Sequence, residues 1–374
     1  MEAQQAASVA IAAAYPPIER VFDGSAPVVI AAAARMGRAF LHALRREGVT
    51  PVAFVDNDRA KWGTVIEGVP VMAPEDGLAR YPDAAICVAS VISESELANQ
   101  MRGLGFPMVY PLSVLHHYRP DVFVAPYLDG AFESCFDPVH AETIAEVGAL
   151  WADAESVSTF EQILAARRTL DLERYAAIHA DHPQYFLPRI VTFTDDDVIC
   201  DGGAYTGDTL ATFRELFPSL RIPYYGFEPD PTNYAQLAAA GKEYGGRFVA
   251  VQGGLGAREV TMGFAATGAM DGQFSAGASG PTIHIHTIDG FFAREAPPTF
   301  IKMDIEGMEP EALAGAEGTI RSHAPTLAIC VYHEPAHLWE IPKWVHERQP
   351  GYRFYLRHYS RNMSETVMYA IAGR

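Results

Sequence analysis

Short apolar runs, each closed by a small or acidic residue and followed by apolar positions three or four apart, recur in two stretches of the chain. In the first, Pro27 to Ala34 (PVVIAAAA) reads as a strand entering a small-residue turn. Phe40, Leu41 and Leu44 then recur at helical spacing, Gly48 closes that helix, and Val49 to Val55 reads as a second strand ending in Asp56, Asn57 and Asp58. Val69 to Val71, Ala84 to Val91 and Met108 to Tyr110 supply further strands, with a helix over 94–104. From Leu112 to Ile190 the period becomes mostly helical: Thr143, Val147, Leu150 and Trp151 share one face, and Phe160, Ile163 and Leu164 another. In the second stretch, Val198, Ile199 and Cys200 predict a buried strand ending at Asp201. A turn with Gly202, Gly203 and Gly207 follows, and then a helix with Leu210, Phe213, Leu216 and Phe217 inward. Further strands are expected at Pro223 to Phe227, Phe248 to Val251, Val260 to Phe264, Thr282 to Ile288, Phe300 to Asp304 and Thr326 to Tyr332. The segments RFYLRHYS and TVMYAIA, joined by a short polar turn, predict a terminal antiparallel hairpin.

This order predicts an α/β protein with two doubly wound units, the C-terminal one finished by the hairpin. The expected division is a tail over 1–22, a first α/β domain over 23–115, a helical connector over 116–190 and a second α/β domain over 191–374. With 374 residues, 49% of them hydrophobic, the chain can bury more than one sizeable core. A formal net charge of -18 argues against a sequence-independent grip on nucleic-acid phosphates. Cys87, Cys200 and Cys330 lie in apolar runs and no cysteines are closely paired, so a reducing cytoplasm is the expected compartment. The alanine-rich N-terminus carries Glu2 and no basic residue before its apolar part, unlike a signal peptide, and no apolar run is long enough to span a bilayer. A homo-oligomer is among the expected assemblies.

The glycine turn after Cys200 is a cradle for a small molecule, because glycine allows close approach and the helix start presents N–H groups. A dinucleotide pyrophosphate would be repelled by a carboxylate at the strand tip, whereas the ammonium and sulfonium of S-adenosylmethionine would be attracted by Asp201. Glu228 ends the next strand about 25 residues past Gly203, where a carboxylate can accept both ribose hydroxyls. Gln252, Gly253 and Gly254 read as the turn after the third strand, suited to an adenine edge. Gly268 to Gly280 is a long loop of Gly, Ala and Ser, the kind that forms lids or binding loops.

Downstream, FIKMDIEGMEPEALAGAEGTI brings Lys302, Asp304 and Glu306 to a strand end and turns at Gly307 into a helix. Strand C-terminal ends line the ligand crevice of such sheets, so these side chains are expected to face the substrate. A surface ion pair is the alternative. His333 to His337 spells H-E-x-x-H, but Pro335 suits a first helical turn and would leave His333 just outside it, so no zinc site is assigned. His333 at a strand end is a candidate general base, or else a packing residue. His284 and His286 alternate along a strand and read as one solvated sheet face.

Two resemblances add to this. The first α/β stretch resembles the Rossmann-like domain of sugar-modifying proteins with IFGAGxxGR, FxDNDxxKxG and GxPV. It keeps Gly37, Arg38, Phe54, Asp56, Asn57, Asp58, Lys61, Gly63, Gly68, Pro70 and Val71, but has Ala32 and Ala34 at the first two glycine positions, where a Cβ obstructs a pyrophosphate. The C-terminal part, roughly 193–371, resembles the FkbM family of S-adenosylmethionine-dependent methyltransferases. The resemblance is carried by DGGAYTGDT (Asp201 to Thr209), GFEPDP (Gly226 to Pro231), TIDGF (Thr287 to Phe291) and IKMDIEGME (Ile301 to Glu309). The helical lead-in, Asp153 to Asp171 with Gln184 to Phe186, is similar to that of longer members.

That resemblance implies methyl transfer to a hydroxyl of a sugar, polysaccharide or polyketide-type acceptor. Asp201, Gly202, Gly203, Ala204, Tyr205, Gly207, Glu228, Pro229, Gln252 and Gly253 would hold the cofactor. Lys302 and Glu306 would face the acceptor, and His333 or Asp304 would take its proton. Gly202 stands where the family often has Val, and Tyr205 where Asn is common. The alternatives are a non-catalytic cofactor- or nucleotide-sugar-binding module and an NAD-dependent oxidoreductase resting on the first α/β domain.

Overall fold

The structure is a computed structural model that describes residues 11, 15, 17–90, 93–123, 135, 137–265, 273–274 and 282–373. Most of the expected N-terminal tail, and the Gly268 to Gly280 loop apart from Gln273 and Phe274, lie outside the described residues. The chain divides into two compact units. The first comprises Met1–Ala141, Gln162–Ala177 and Arg361–Met363; the second comprises Glu142–Glu161, Ile178–Ser360 and Ser364–Arg374. The helical stretch is thus apportioned between them. Among the described residues no helix is long and apolar enough to cross a membrane.

The first unit holds strands β1 (Val28–Ala31), β2 (Ala53–Val55), β3 (Val65–Ile66), β4 (Val69–Met72), β5 (Ala85–Val88) and β6 (Met108–Tyr110), in the order β3-β4-β2-β1-β5-β6. All pairs are parallel except β3 with β4. Strands β1 and β5 are buried along their whole length, as parallel strands covered on both faces must be. The helix Arg35–Arg46 turns Phe40, Leu41 and Leu44 inward as their spacing predicts. It packs close to the turn before it, because a Cβ on Gly37 would overlap the Ala32 carbonyl oxygen. Ala32 holds a positive φ of 87°, so its Cβ does not prevent the turn that glycine usually makes. Asp56 is engaged within the chain: its Oδ2 accepts from the Ala33 N–H at 2.7 Å and from Lys61 Nζ at 2.9 Å.

The second unit holds β7 (Ile199–Gly202), β8 (Tyr224–Phe227), β9 (Phe248–Val251), β10 (Gly253–Leu255), β11 (Val260–Ala265), β12 (Gln273–Phe274), β13 (Thr282–His286), β14 (Phe300–Met303), β15 (Thr326–Cys330), β16 (Tyr352–His358) and β17 (Thr366–Ala372). Seven of these form a sheet in the order β16-β17-β15-β14-β7-β8-β9. The strands from β15 to β9 run parallel; β17 is antiparallel to β15, and β16 to β17, giving the expected terminal hairpin. Strand order reverses between β7 and β14, so the crevice for a ligand opens at their C-terminal ends. Beneath it, Phe186, Phe193, Phe213 and Phe300 pack with ring centroids 5.1 to 6.1 Å apart.

A second sheet runs β10-β13-β11-β12. Here the structure corrects one expectation: Gly253 and Gly254 belong to strand β10, not to a turn. Gly253 pairs with His284, and a Cβ on it would lie 2.9 Å from both the His284 carbonyl oxygen and the His286 ring. Glycine is required there by close strand packing.

Candidate active site

The β7 turn is built as its glycines predict. Gly203 and Gly207 hold φ of 71° and 95°, with Tyr205 also left-handed at 47°, and a Cβ on Gly203 would overlap the Asp304 carbonyl oxygen. The turn therefore lies directly against the end of β14. Helix Asp208–Leu216 starts from Gly207.

Two expected roles change in the structure. Asp201 is fully buried, its Oδ2 accepting from the Tyr224 hydroxyl at 2.6 Å and its Oδ1 lying 3.0 Å from Lys302 Nζ. Its charge is already matched by an ammonium of the chain, which cancels most of its pull on a second cation. Lys302, expected to face the substrate, is 2% exposed and donates to the carbonyls of Gly202 and Gly203 at 3.1 and 2.7 Å. Burial works against its charge, but Asp201 and then Asp304 outweigh burial and raise its pKa. Lys302 therefore ties β14 to the turn, with its ammonium spent on Asp201 and the two carbonyls instead of facing a substrate.

Glu228, at the end of β8, is nearly buried, and its two oxygens accept the N–H groups of Asp230 at 2.9 Å and Tyr205 at 3.0 Å. Burial pushes its carboxyl up to about 7, against these hydrogen bonds. Pro229 follows, and Asp230 caps the helix Pro231–Gly241 through the N–H groups of Thr232 and Asn233. Ala204 is buried under the turn, and Gln252, just past β9, is exposed.

Asp304 centres the second half of the crevice. Its Oδ2 accepts from the Tyr185 hydroxyl at 2.7 Å and its Oδ1 from the Tyr332 hydroxyl at 3.2 Å. Burial pushes the Asp304 carboxyl up, but Lys302, then His333 and the Tyr185 hydroxyl, outweigh it and hold the pKa below the ordinary value. Burial keeps the Tyr185 phenol protonated, well above its usual range, so it remains a donor. His333 sits between carboxylates: Nε2 lies 3.4 Å from Asp304 Oδ1 and 3.8 Å from Glu306 Oε2, and Nδ1 lies 2.9 Å from Glu309 Oε1. Burial opposes its charge, yet Glu309, then Asp304 and Glu306, raise it to about 9. At neutral pH it is an imidazolium, and the three acid and imidazole groups form an ion-pair network. The helix begins at His337, with His333 in a bend before it, so the H-E-x-x-H pair does not share a helical face. Both histidines turn instead toward the fully buried Glu309, His337 Nδ1 lying 3.6 Å from its Oε2.

Sequence reasoning singled out Asp304, Glu306 and His333 but gave no role to Tyr185, Tyr332, Glu309 or Glu365. Gln184 Nε2 donates to Glu365 Oε2 at 2.7 Å and to the Tyr185 hydroxyl at 3.0 Å, which links Asp304 to an open surface pocket lined by His179, Asp181, His182, Gln184 and Tyr359. Gln184 to Phe186 stood out only as a motif, and the partners come from strands far away in sequence.

A mostly parallel sheet with this order reversal, a glycine turn after its first strand, acids at the ends of its neighbours and an antiparallel hairpin at one edge has the architecture of a methyltransferase fold. Residues 201–354 match the family model described as Methyltransferase FkbM domain. The crystal structure of methyltransferase FkbM from Methylobacillus flagellatus KT is similar with a TM-score of 0.78 at 22% identity, over 99% of this chain and 98% of that one, and shares the fold. Two further solved structures match less. Fibrillarin from Aeropyrum pernix, in complex with S-adenosyl-L-methionine, is 14% identical over 48% of this chain and 67% of that one, with a TM-score of 0.30. UDP-D-quinovosamine 4-dehydrogenase from Vibrio fischeri is 22% identical over 23% of this chain and 78% of that one, with a TM-score of 0.20. At those scores neither carries an argument. No curated protein matches the chain.

The family implies S-adenosylmethionine, and the residues present fit it at two places. Glu228 stands at the strand end where a ribose diol would donate to its ionised form, a form that the Asp230 and Tyr205 N–H groups favour, and the turn from Gly203 to Gly207 brings backbone to the crevice. Asp201 fits as a support of that turn.

Proposed function

We propose that the second unit is an S-adenosylmethionine-dependent methyltransferase that acts on a hydroxyl of a sugar, polysaccharide or polyketide-type acceptor. The observation that carries this reading is the direct packing of Gly203 against the Asp304 backbone, which sets the cofactor turn beside an ionised carboxylate. Gly202 to Gly207, Glu228, Pro229 and Gln252 hold the cofactor. Bound there, S-adenosylmethionine supplies the methyl group on a sulfonium leaving group.

Asp304 accepts the proton of the acceptor hydroxyl. An oxygen that has begun to share its lone pair is far more acidic than a free alcohol, so a carboxylate below its ordinary pKa suffices. Tyr185 and Tyr332 hold that carboxylate in one orientation, and the His333 imidazolium keeps it ionised. His333, protonated at neutral pH, is the weaker candidate for the base. Glu306, 40% exposed at the crevice, is placed to accept a hydrogen bond from the acceptor. The open pocket beside Gln184 is lined by histidine, acid, amide and phenol groups, a polar surface that suits a polyhydroxylated acceptor.

We read the first unit as a structural or docking module, since Asp56 is engaged with Ala33 and Lys61. The test is a screen of sugar and polyketide alcohols with mass detection of the methylated product. The reading requires a mass gain of one methyl group with wild type and its loss in Asp304→Asn; product formation unchanged in that variant would remove Asp304 as the base.

A further inference from the structure

Outside the crevice, the second sheet carries a group of side chains that the methyl-transfer reading does not use. Ile283 and Ile285 of β13 point into the core, each 3% exposed, so the pleat sends His284 and His286 to the opposite face together. The antiparallel register pairs Thr261 with His284 and Val260 with Ile285, which brings Glu259 opposite His286. As a result Glu259 Oε2 lies 2.9 Å from His284 Nε2 and 3.5 Å from His286 Nδ1. One ligand atom from each residue falls within 4.8 Å of the other two. Donors around a tetrahedral ion with metal–nitrogen bonds of about 2.0–2.1 Å stand about 3.3 Å apart, so the spacing needs little adjustment.

Each of the three is also oriented by a neighbour. The other oxygen of Glu259 accepts from the Thr287 N–H at 2.7 Å and from its hydroxyl at 3.0 Å. Thr261 Oγ1 lies 3.3 Å from His284 Nδ1, which leaves Nε2 facing Glu259. The His286 ring packs edge-on against Phe227 and Phe291, with centroids 6.0 and 5.5 Å away, over a strand position that only glycine leaves open. Outer partners that fix ring and carboxylate orientation are the usual support of a metal site. A solvated sheet face would leave such side chains free to rotate.

We propose that Glu259, His284 and His286 form a binding site for one divalent late first-row transition ion of the zinc class, with the remaining position open to solvent. Two imidazole nitrogens with one carboxylate oxygen suit such an ion better than magnesium or calcium, which take oxygen ligands. The ion cross-links Glu259, the residue before β11, to β13 and fixes the His286 ring over Gly253.

Full-length protein stripped with a chelator and titrated with Zn2+ by calorimetry tests the site, with the visible absorption of Co2+ as a second readout of coordination. The expected result is saturable binding of one ion per chain, lost in His284→Ala and in the isosteric Glu259→Gln, with circular dichroism confirming that both variants stay folded. Absence of saturable binding by wild type would overturn the proposal. So would one-to-one binding that persists in both variants, which would place the ion at another group such as Asp304, Glu309 and His333. Methyl transfer is not part of this readout, so the two readings stand or fall separately.

Discussion

At the scale of residues, the site depends on which groups hold charge when buried. Asp304 stays ionised because Lys302 and His333 outweigh its burial. Replacing it with asparagine keeps the shape and removes the proposed proton acceptor, so Asp304→Asn should bind cofactor normally and lose about 100-fold or more in turnover, measured by single-turnover product formation. Lys302 carries a different burden. Lys302→Met would leave the Asp201 carboxylate buried and unpaired, a change that costs about 3–5 kcal/mol; a loss below about 1 kcal/mol in denaturant unfolding would contradict the pairing. His333 gives a pH signature. Its folded-state pKa of about 9 lies above the ordinary 6.5, so its contribution to stability is fully present below about 6.5 and is lost as pH rises through 9. That loss is on the order of 3 kcal/mol, and His333→Gln should flatten the stability profile over the same window.

At the scale of elements, the turn after β7 is the tightest constraint. A Cβ on Gly203 would overlap the Asp304 carbonyl, and the residue also needs a positive φ, so Gly203→Ala should displace the turn. Cofactor binding should weaken far more than thermal stability; equal binding by calorimetry would show that the turn is not the cradle. Much of this element was legible in the sequence, since an apolar run, an acid and a glycine turn leading into a helical period have few other readings. The terminal hairpin was legible for the same reason. What the local pattern could not show was which face each polar side chain takes. Asp201 meets Lys302 from a strand about 100 positions away and Tyr224 from a third strand, and a pairing at that separation leaves no mark on any one strand. The assignment of Gly253 to a strand depends in the same way on His284 and His286 arriving beside it.

At the scale of the whole molecule, each unit has its own sheet and core, and the chemistry described here belongs to the second. The first unit keeps the residues that flank a nucleotide-binding turn but has Ala32 and Ala34 in place of the first two glycines of the turn, and Asp56 is occupied within the chain. The central claim is that the crevice at β7, β8 and β14 holds S-adenosylmethionine. Isothermal titration of the full chain with S-adenosylmethionine and with NAD, on wild type and Glu228→Gln, tests it most directly. The account predicts one-site binding of S-adenosylmethionine, weakened by about 2 kcal/mol or ~30-fold in the variant, and no heat with NAD. Binding of NAD with no binding of S-adenosylmethionine would contradict it.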